Sequence, residues 1–122
     1  MDNSKKTLIL GASTNPERYA YRAAQELTAN GYEIVPVGIR SGEVFGKSII
    51  TDKSIQPDID TITLYLGVQH QSDWYDYILD TKPERIIFNP GTENAELSQL
   101  AEHQGIEVEF ACTLVMLSVG NY

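Results

Sequence analysis

The sequence predicts an α/β fold, a single three-layer domain with a five-stranded, mostly parallel sheet. Two observations predict it. Short apolar runs alternate with amphipathic stretches along the whole chain, the pattern of strands joined by crossover helices. Turn residues gather where the strands end. Glycine stands within a residue or two of Leu10, Val37 and Leu66, and Asn89-Pro90-Gly91 follows Phe88. The length, 122 residues, suits one domain, taken as residues 1–122. Such a doubly wound, Rossmann-like sheet binds ligands beyond the carboxyl ends of its strands, where those loops converge.

The elements follow in order. Thr7 to Leu10 reads as a buried strand ended by Gly11. Asn15 is a candidate cap for the next helix, with Pro16 in its first turn. Ala20, Ala23, Ala24 and Leu27 then recur at helical spacing, and their small side chains let the helix lie close to the sheet. Asn30-Gly31 ends it. Residues 32–37 form a second strand. Residues 38–57 are irregular, with a short strand near 48–50. Residues 61–66 form a third strand, and 70–81 a helix with Trp74, Ile78 and Leu79 inward. Residues 85–88 are a fourth strand. Residues 93–104 are a helix with Leu97, Leu100 and Ala101 on one face and Glu93 as a first-turn charge. Residues 106–110 are a fifth strand, and 112–119 a short helix that is apolar all round.

Composition narrows the function. Hydrophobic residues make up 42% and charged residues 21%, which is ordinary for a soluble domain. The net charge of −8 argues against nucleic acid or an anionic membrane as partner. Residues 1–6 lack the apolar core of a signal peptide. One cysteine, Cys112, allows no internal disulfide, which fits the reducing cytoplasm. Against this acidity, Arg18, Arg22, Arg40 and Lys47 fall close together in sequence, a supply of cations for an anionic ligand.

The first strand–turn–helix carries the main chemical signal. Gly11 permits a tight turn, and small Ala12 and Ser13 leave amides open before a helix start whose N–H groups favour phosphate. The dinucleotide fingerprint is incomplete, because Ser13 stands where a second glycine would be. A plain capped helix fits the same residues. The second strand ends at Val37-Gly38-Ile39-Arg40, without the carboxylate that holds an NAD ribose. Arg40 suits a phosphorylated ribose, as in NADP or coenzyme A, by bidentate pairing, or stands as a solvated loop arginine. Arg18 is placed to reach a diphosphate. Arg22 and Glu26 have the spacing of a surface ion pair, and Lys47 is a weaker candidate. Tyr19 packs on a base or covers the sheet edge. His70 and His103 lack metal-ligand spacing and read as solvated. Ser13 has no neighbouring base in sequence, and Cys112 reads as a small buried hydrophobe.

Taken together, Gly-Ala-Ser-x-x-Pro-x-Arg-Tyr from Gly11 to Tyr19, Val35-Pro36-Val37, Gly46-Lys47, Asp60, the run from Asn89 to Glu93, and Cys112 resemble the small bacterial and archaeal CoA-binding domain proteins. These are related to the CoA-binding domain of succinyl-CoA synthetase alpha subunits. The resemblance implies a Rossmann-like fold that binds coenzyme A, with no activity generally assigned to stand-alone members. It implies that Gly11, Ala12, Ser13, Arg18 and Tyr19 form the phosphate and adenine end. Asn15 belongs with that loop. Val37 and Arg40 would line the adenosine side, and Gly67 and Gly91 the pantetheine path. Family members often read Val-Asn-Pro where this chain has Val37-Gly38-Ile39, which alters the loop that meets the adenosine. The synthetase's catalytic histidine is not carried over to His70 or His103. The expectation is a cytoplasmic CoA or acyl-CoA binding module without catalytic residues. An NADP-binding redox sensor or small reductase, or a ligand-free interaction domain dimerising through residues 112–119, stands behind it.

Overall fold

The computed structural model describes residues 4–122. The first half of the polar segment read over residues 1–6 lies outside them. The elements are β1 (Thr7–Leu10), α1 (Tyr19–Ala29), β2 (Ile34–Val37), β3 (Glu43–Val44), β4 (Lys47–Ser48), β5 (Thr61–Leu64), α2 (Val68–Gln71), a 3₁₀ turn (Ser72–Trp74), α3 (Tyr75–Thr81), β6 (Arg85–Phe88), α4 (Ala95–His103), β7 (Glu107–Phe110) and α5 (Thr113–Val119). The main sheet has five parallel strands in the order β2-β1-β5-β6-β7. The order reverses between β1 and β5, so the switch point falls beside the Gly11 turn.

The sheet is covered on both faces. Leu8, Leu10, Ile62, Leu64, Ile86 and Phe88 pack against Trp74, Tyr77 and Ile78 of the α2–α3 segment and Leu97 and Ala101 of α4. Ile9 and Ile87 pack on the other face against Ala20, Ala24 and Leu27 of α1 and Met116 of α5. Strands β1, β2, β5 and β6 are buried along their whole length, as parallel strands between helix layers must be. The alanines of α1 serve as the spacing predicted.

Several local expectations are corrected. Residues 70–81 are not one helix but α2, a 3₁₀ turn and α3. Within it Trp74 and Ile78 are buried, but Leu79 is only partly so, and Tyr77 takes the inward position. In α4 Leu100 is 41% exposed, and Ser98 is buried beside Leu97 and Ala101 instead. Asn94 caps α4 by accepting from the Leu97 amide at 3.1 Å, so Glu93 lies before the helix and not in its first turn. Helix α5 is one-sided, with Met116 inward and Val115 and Val119 exposed. The segment after β2 carries an antiparallel hairpin, β3–β4. It returns to the sheet edge through a parallel bridge between Val37 and Ile50.

Candidate functional site

A cleft of about 680 Å³ opens at the carboxyl ends of β2, β1, β5 and β6. The Gly11 turn forms its middle. Gly11 has φ +98°, and a Cβ there would sit 3.0 Å from the Tyr65 backbone, so only glycine lets the turn pass this close to β5. Gly38 has a matching role at the next strand. A Cβ on it would meet the Ala12 carbonyl oxygen at 2.9 Å. The loop after β2 therefore presses against the turn because position 38 lacks a side chain.

Backbone accounting separates committed amides from open ones. Gly11 and Ala12 both donate to the Val37 carbonyl, at 2.9 and 3.0 Å. These two amides are spent on the sheet, contrary to the expectation that small residues leave them open. Val37 itself is fully buried and does not line the cleft. Its contribution is that carbonyl. Asn15 does not cap α1 either. Its Oδ1 accepts from the Glu17 amide at 3.0 Å, and its own amide donates to Ser13 Oγ at 3.0 Å. The two side chains build a turn that delays the helix, and Arg18 becomes the N-cap with extended backbone and no side-chain cap. The amides of Ser13 and Thr14, and those of Tyr19 and Ala20 in the first turn of α1, make no hydrogen bond among the described residues. They are the open donors of a helix start.

Of the sequence-predicted residues, Gly11, Ala12, Ser13, Asn15, Arg18, Tyr19, Arg40, Gly67 and Gly91 all border this cleft. Arg18 and Arg40 are exposed and form no ion pair among the described residues. Tyr19 is 64% exposed, and Ile39, which sequence reading noted only as a departure, is 76% exposed on the same cleft. Arg22 does not pair with Glu26. It lies over the Tyr19 ring at 5.6 Å. Lys47 sits in the hairpin, outside the cleft. The Gly91 amide is taken by Glu93 Oε1 at 2.8 Å. His70, read as a solvated surface residue, is exposed but borders the cleft beside Gly67.

Polar pairs hold the far wall. Asn89 donates to Thr63 Oγ1 at 2.8 Å and to the Leu64 carbonyl at 2.9 Å, and accepts from the Thr113 amide at 2.9 Å. It thus joins β5, β6 and the start of α5. Gln71 donates to the carbonyls of Leu66 and Thr92, both at 2.9 Å, locking two cleft loops together. Tyr65 lines the cleft, but its hydroxyl is buried without a hydrogen-bond partner among the described residues. Burial pushes this phenol up to about 12. Cys112 is free and partly exposed at the N-cap of α5, so it is not the fully buried hydrophobe expected.

One property of the cleft stands out against the composition. The chain has 17 carboxylate side chains, and among the described residues none borders the cleft. Its ionisable lining is Arg18, Arg40, His70, Tyr19 and Tyr65.

A parallel sheet with a cleft at its switch point and open amides at a helix start defines a Rossmann-like class of domain. Residues 5–118 match the CoA binding domain family, and the chain belongs to it. Among solved structures, one of an uncharacterized protein shares 52% identity at a TM-score of 0.95, covering 97% of this chain and 98% of that one. A hypothetical protein from Pyrococcus horikoshii OT3 aligns at 24% identity and a TM-score of 0.85, over 94% of this chain and 82% of that one. The uncharacterized protein YneT of Bacillus subtilis is 24% identical over 106 residues, 86% of this chain and 78% of YneT.

Proposed function

We propose that this protein binds coenzyme A or an acyl-CoA in the cleft, as a binding module without chemistry of its own. The observation that carries the reading is the acid-free, arginine-bearing cleft in a chain of net charge −8. A diphosphate at the open amides of Ser13, Thr14 and the first turn of α1 gains both donors and the helix dipole. Arg18 stands at that helix start. Arg40 stands on the adenosine side, where a 3′-phosphate gives its guanidinium a bidentate partner. Tyr19 and Ile39 offer apolar surface for the base. Gly67 and Gly91 border the route left for the pantetheine arm.

Calorimetric titration with coenzyme A, NADP and NAD tests this. Coenzyme A is expected to bind, NAD to bind weakly or not at all, and Arg40→Ala to weaken coenzyme A about tenfold, the worth of a charge-assisted pair. No heat with coenzyme A up to millimolar concentration overturns the reading. Arg40 serves the 2′-phosphate of NADP equally well, so tighter binding of NADP would replace the module with an NADP-dependent redox sensor or small reductase.

Two further assignments belong to the same reading. We place the protein in the cytoplasm, supported by the free Cys112 and by the absence, among the described residues, of any helix long and apolar enough to cross a membrane. We assign self-association to the α5 face bearing the exposed Val115 and Val119.

A further inference from the structure

Resting on the reading of the cleft as a diphosphate site, we infer that His70 is a third ligand-binding side chain, which contacts the diphosphate from the β5 side. Topology brings it there. In the strand order β2-β1-β5, the loops after β2 and β5 flank the β1 turn on opposite sides. Arg40 follows β2 and His70 follows β5, so the two bracket the turn whose amides are open. Both are exposed and both border the cleft.

The local structure holds His70 in place. Its amide donates to the Gly67 carbonyl at 2.9 Å, and the next residue, Gln71, is fully buried and tied to the carbonyls of Leu66 and Thr92. The backbone of α2 is therefore anchored at the residue next to His70. The imidazole itself has no ion pair among the described residues.

The charged side chains that share the cleft lining with it are cationic. Arg18 and Tyr19 face the cleft from α1, Arg40 from the loop after β2, and Tyr65 from the end of β5. The loop after β6 contributes Pro90, Gly91 and Thr92, and its Glu93 carboxylate is occupied by the Gly91 amide. In the 3₁₀ turn that follows α2, Asp73 is exposed and outside the cleft lining. Histidine is the side chain that changes charge between about pH 5 and 8. An imidazole donates one N–H to a phosphate oxygen, and an imidazolium donates the same bond with charge assistance. Affinity for a diphosphate therefore rises as the pH falls.

The test uses dephospho-CoA, which keeps the diphosphate and lacks the 3′-phosphate that would itself titrate. Its affinity is measured for the wild type, His70→Gln and His103→Gln at about pH 8 and about pH 5.5. The wild type and His103→Gln are expected to bind about threefold to fivefold tighter at the lower pH, and His70→Gln to lose that difference. A flat wild-type profile, or a slope that survives in His70→Gln, overturns the role of His70 while leaving the cleft assignment intact. Failure of both coenzyme A and dephospho-CoA to bind at either pH overturns the cleft assignment itself. The imidazole proton shifts of His70, followed by NMR through the same pH range, provide a second readout. They are expected to move toward a higher midpoint when dephospho-CoA is added, and an unmoved midpoint counts against the contact.

Discussion

The two ends of the parallel sheet treat their polar groups in opposite ways. At the amino ends of the strands the charged groups are tied into the fold, although Arg85 Nη2 makes no hydrogen bond among the described residues. Arg85 is buried at the start of β6, pairs with Glu109 at 2.9 Å, donates to Thr61 Oγ1 at 3.0 Å and lies 4.6 Å from the Tyr122 ring centre. The Tyr122 hydroxyl bonds to Thr7, and Tyr32 packs edge-on against the Tyr122 ring. At the carboxyl ends Arg18, Arg40 and His70 have no ion pair among the described residues, and four amides near the first turn make no bond. One arginine holds the fold together; the others are kept free. Burial thus distinguishes the charged side chains at the two ends of one sheet, and on the proposed reading the buried one serves stability and the exposed ones recognition.

Substitutions that separate stability from binding sharpen this contrast. The largest effect is expected for Arg85→Ala. It leaves Glu109 and Thr61 without their partner and opens a gap under Tyr122, at a cost of roughly 3 kcal/mol in denaturant unfolding. Affinity for coenzyme A, measured below the unfolding transition, is expected to stay within twofold. A large loss of affinity with no loss of stability would reverse the assignment of the two ends.

A smaller effect comes from alkaline pH. Burial raises the Tyr65 phenol from 10.0 to about 12 and raises Tyr122 as well. A folded value above the unfolded one means that the native state holds the proton more tightly. The associated stability is complete below about pH 10 and is lost as the pH rises toward 12. For Tyr65 this amounts to roughly 2 kcal/mol. Tyr65→Phe is therefore expected to flatten the fall in melting temperature across that range, and an unchanged fall would mean that the phenol is not held neutral by its surroundings.

The smallest effect is expected for the pair Arg18→Ala and Arg40→Ala. Both side chains are exposed and unpaired, so unfolding free energy is expected to change by less than about 0.5 kcal/mol for each. A loss above about 1 kcal/mol would show that they hold structure, as Arg85 does.

The sequence made the sheet legible because its strands are short apolar runs with turn residues at one end, and that period survives any detail of packing. The helix faces were legible where alanine or leucine recurred at helical spacing. Finer assignments failed where local hydrogen bonds compete. Asn15 has the chemistry of a cap, but Ser13 and Pro16 around it favour a tighter turn, and α1 starts only at Tyr19. Arg22 and Glu26 have ion-pair spacing, yet they form no ion pair among the described residues, and Arg22 lies over the Tyr19 ring instead. Leu100 fits the inward pattern of α4, but Ser98 takes the buried place. In the cleft, nine of the ten predicted residues border the space, because glycine-marked loops must meet at the carboxyl ends of a parallel sheet. Val37 does not border the cleft, because here the strand's last residue turns its carbonyl and not its side chain toward the Gly11 turn. That His70 borders the cleft was not legible, because its neighbours in sequence say nothing of the loop order that carries it beside the β1 turn.

The exclusion of carboxylates from the cleft also shapes how a ligand arrives. A net charge of −8, with no carboxylate of the described residues lining the cleft, gives the surface a negative potential that turns an anion away from most directions of approach. Within about 10 Å, the screening length at moderate salt, the arginines and open amides reverse that sign. On the proposed reading, the molecule combines a repulsive exterior with a local well, so that an anionic ligand would spend little time on the wrong surface.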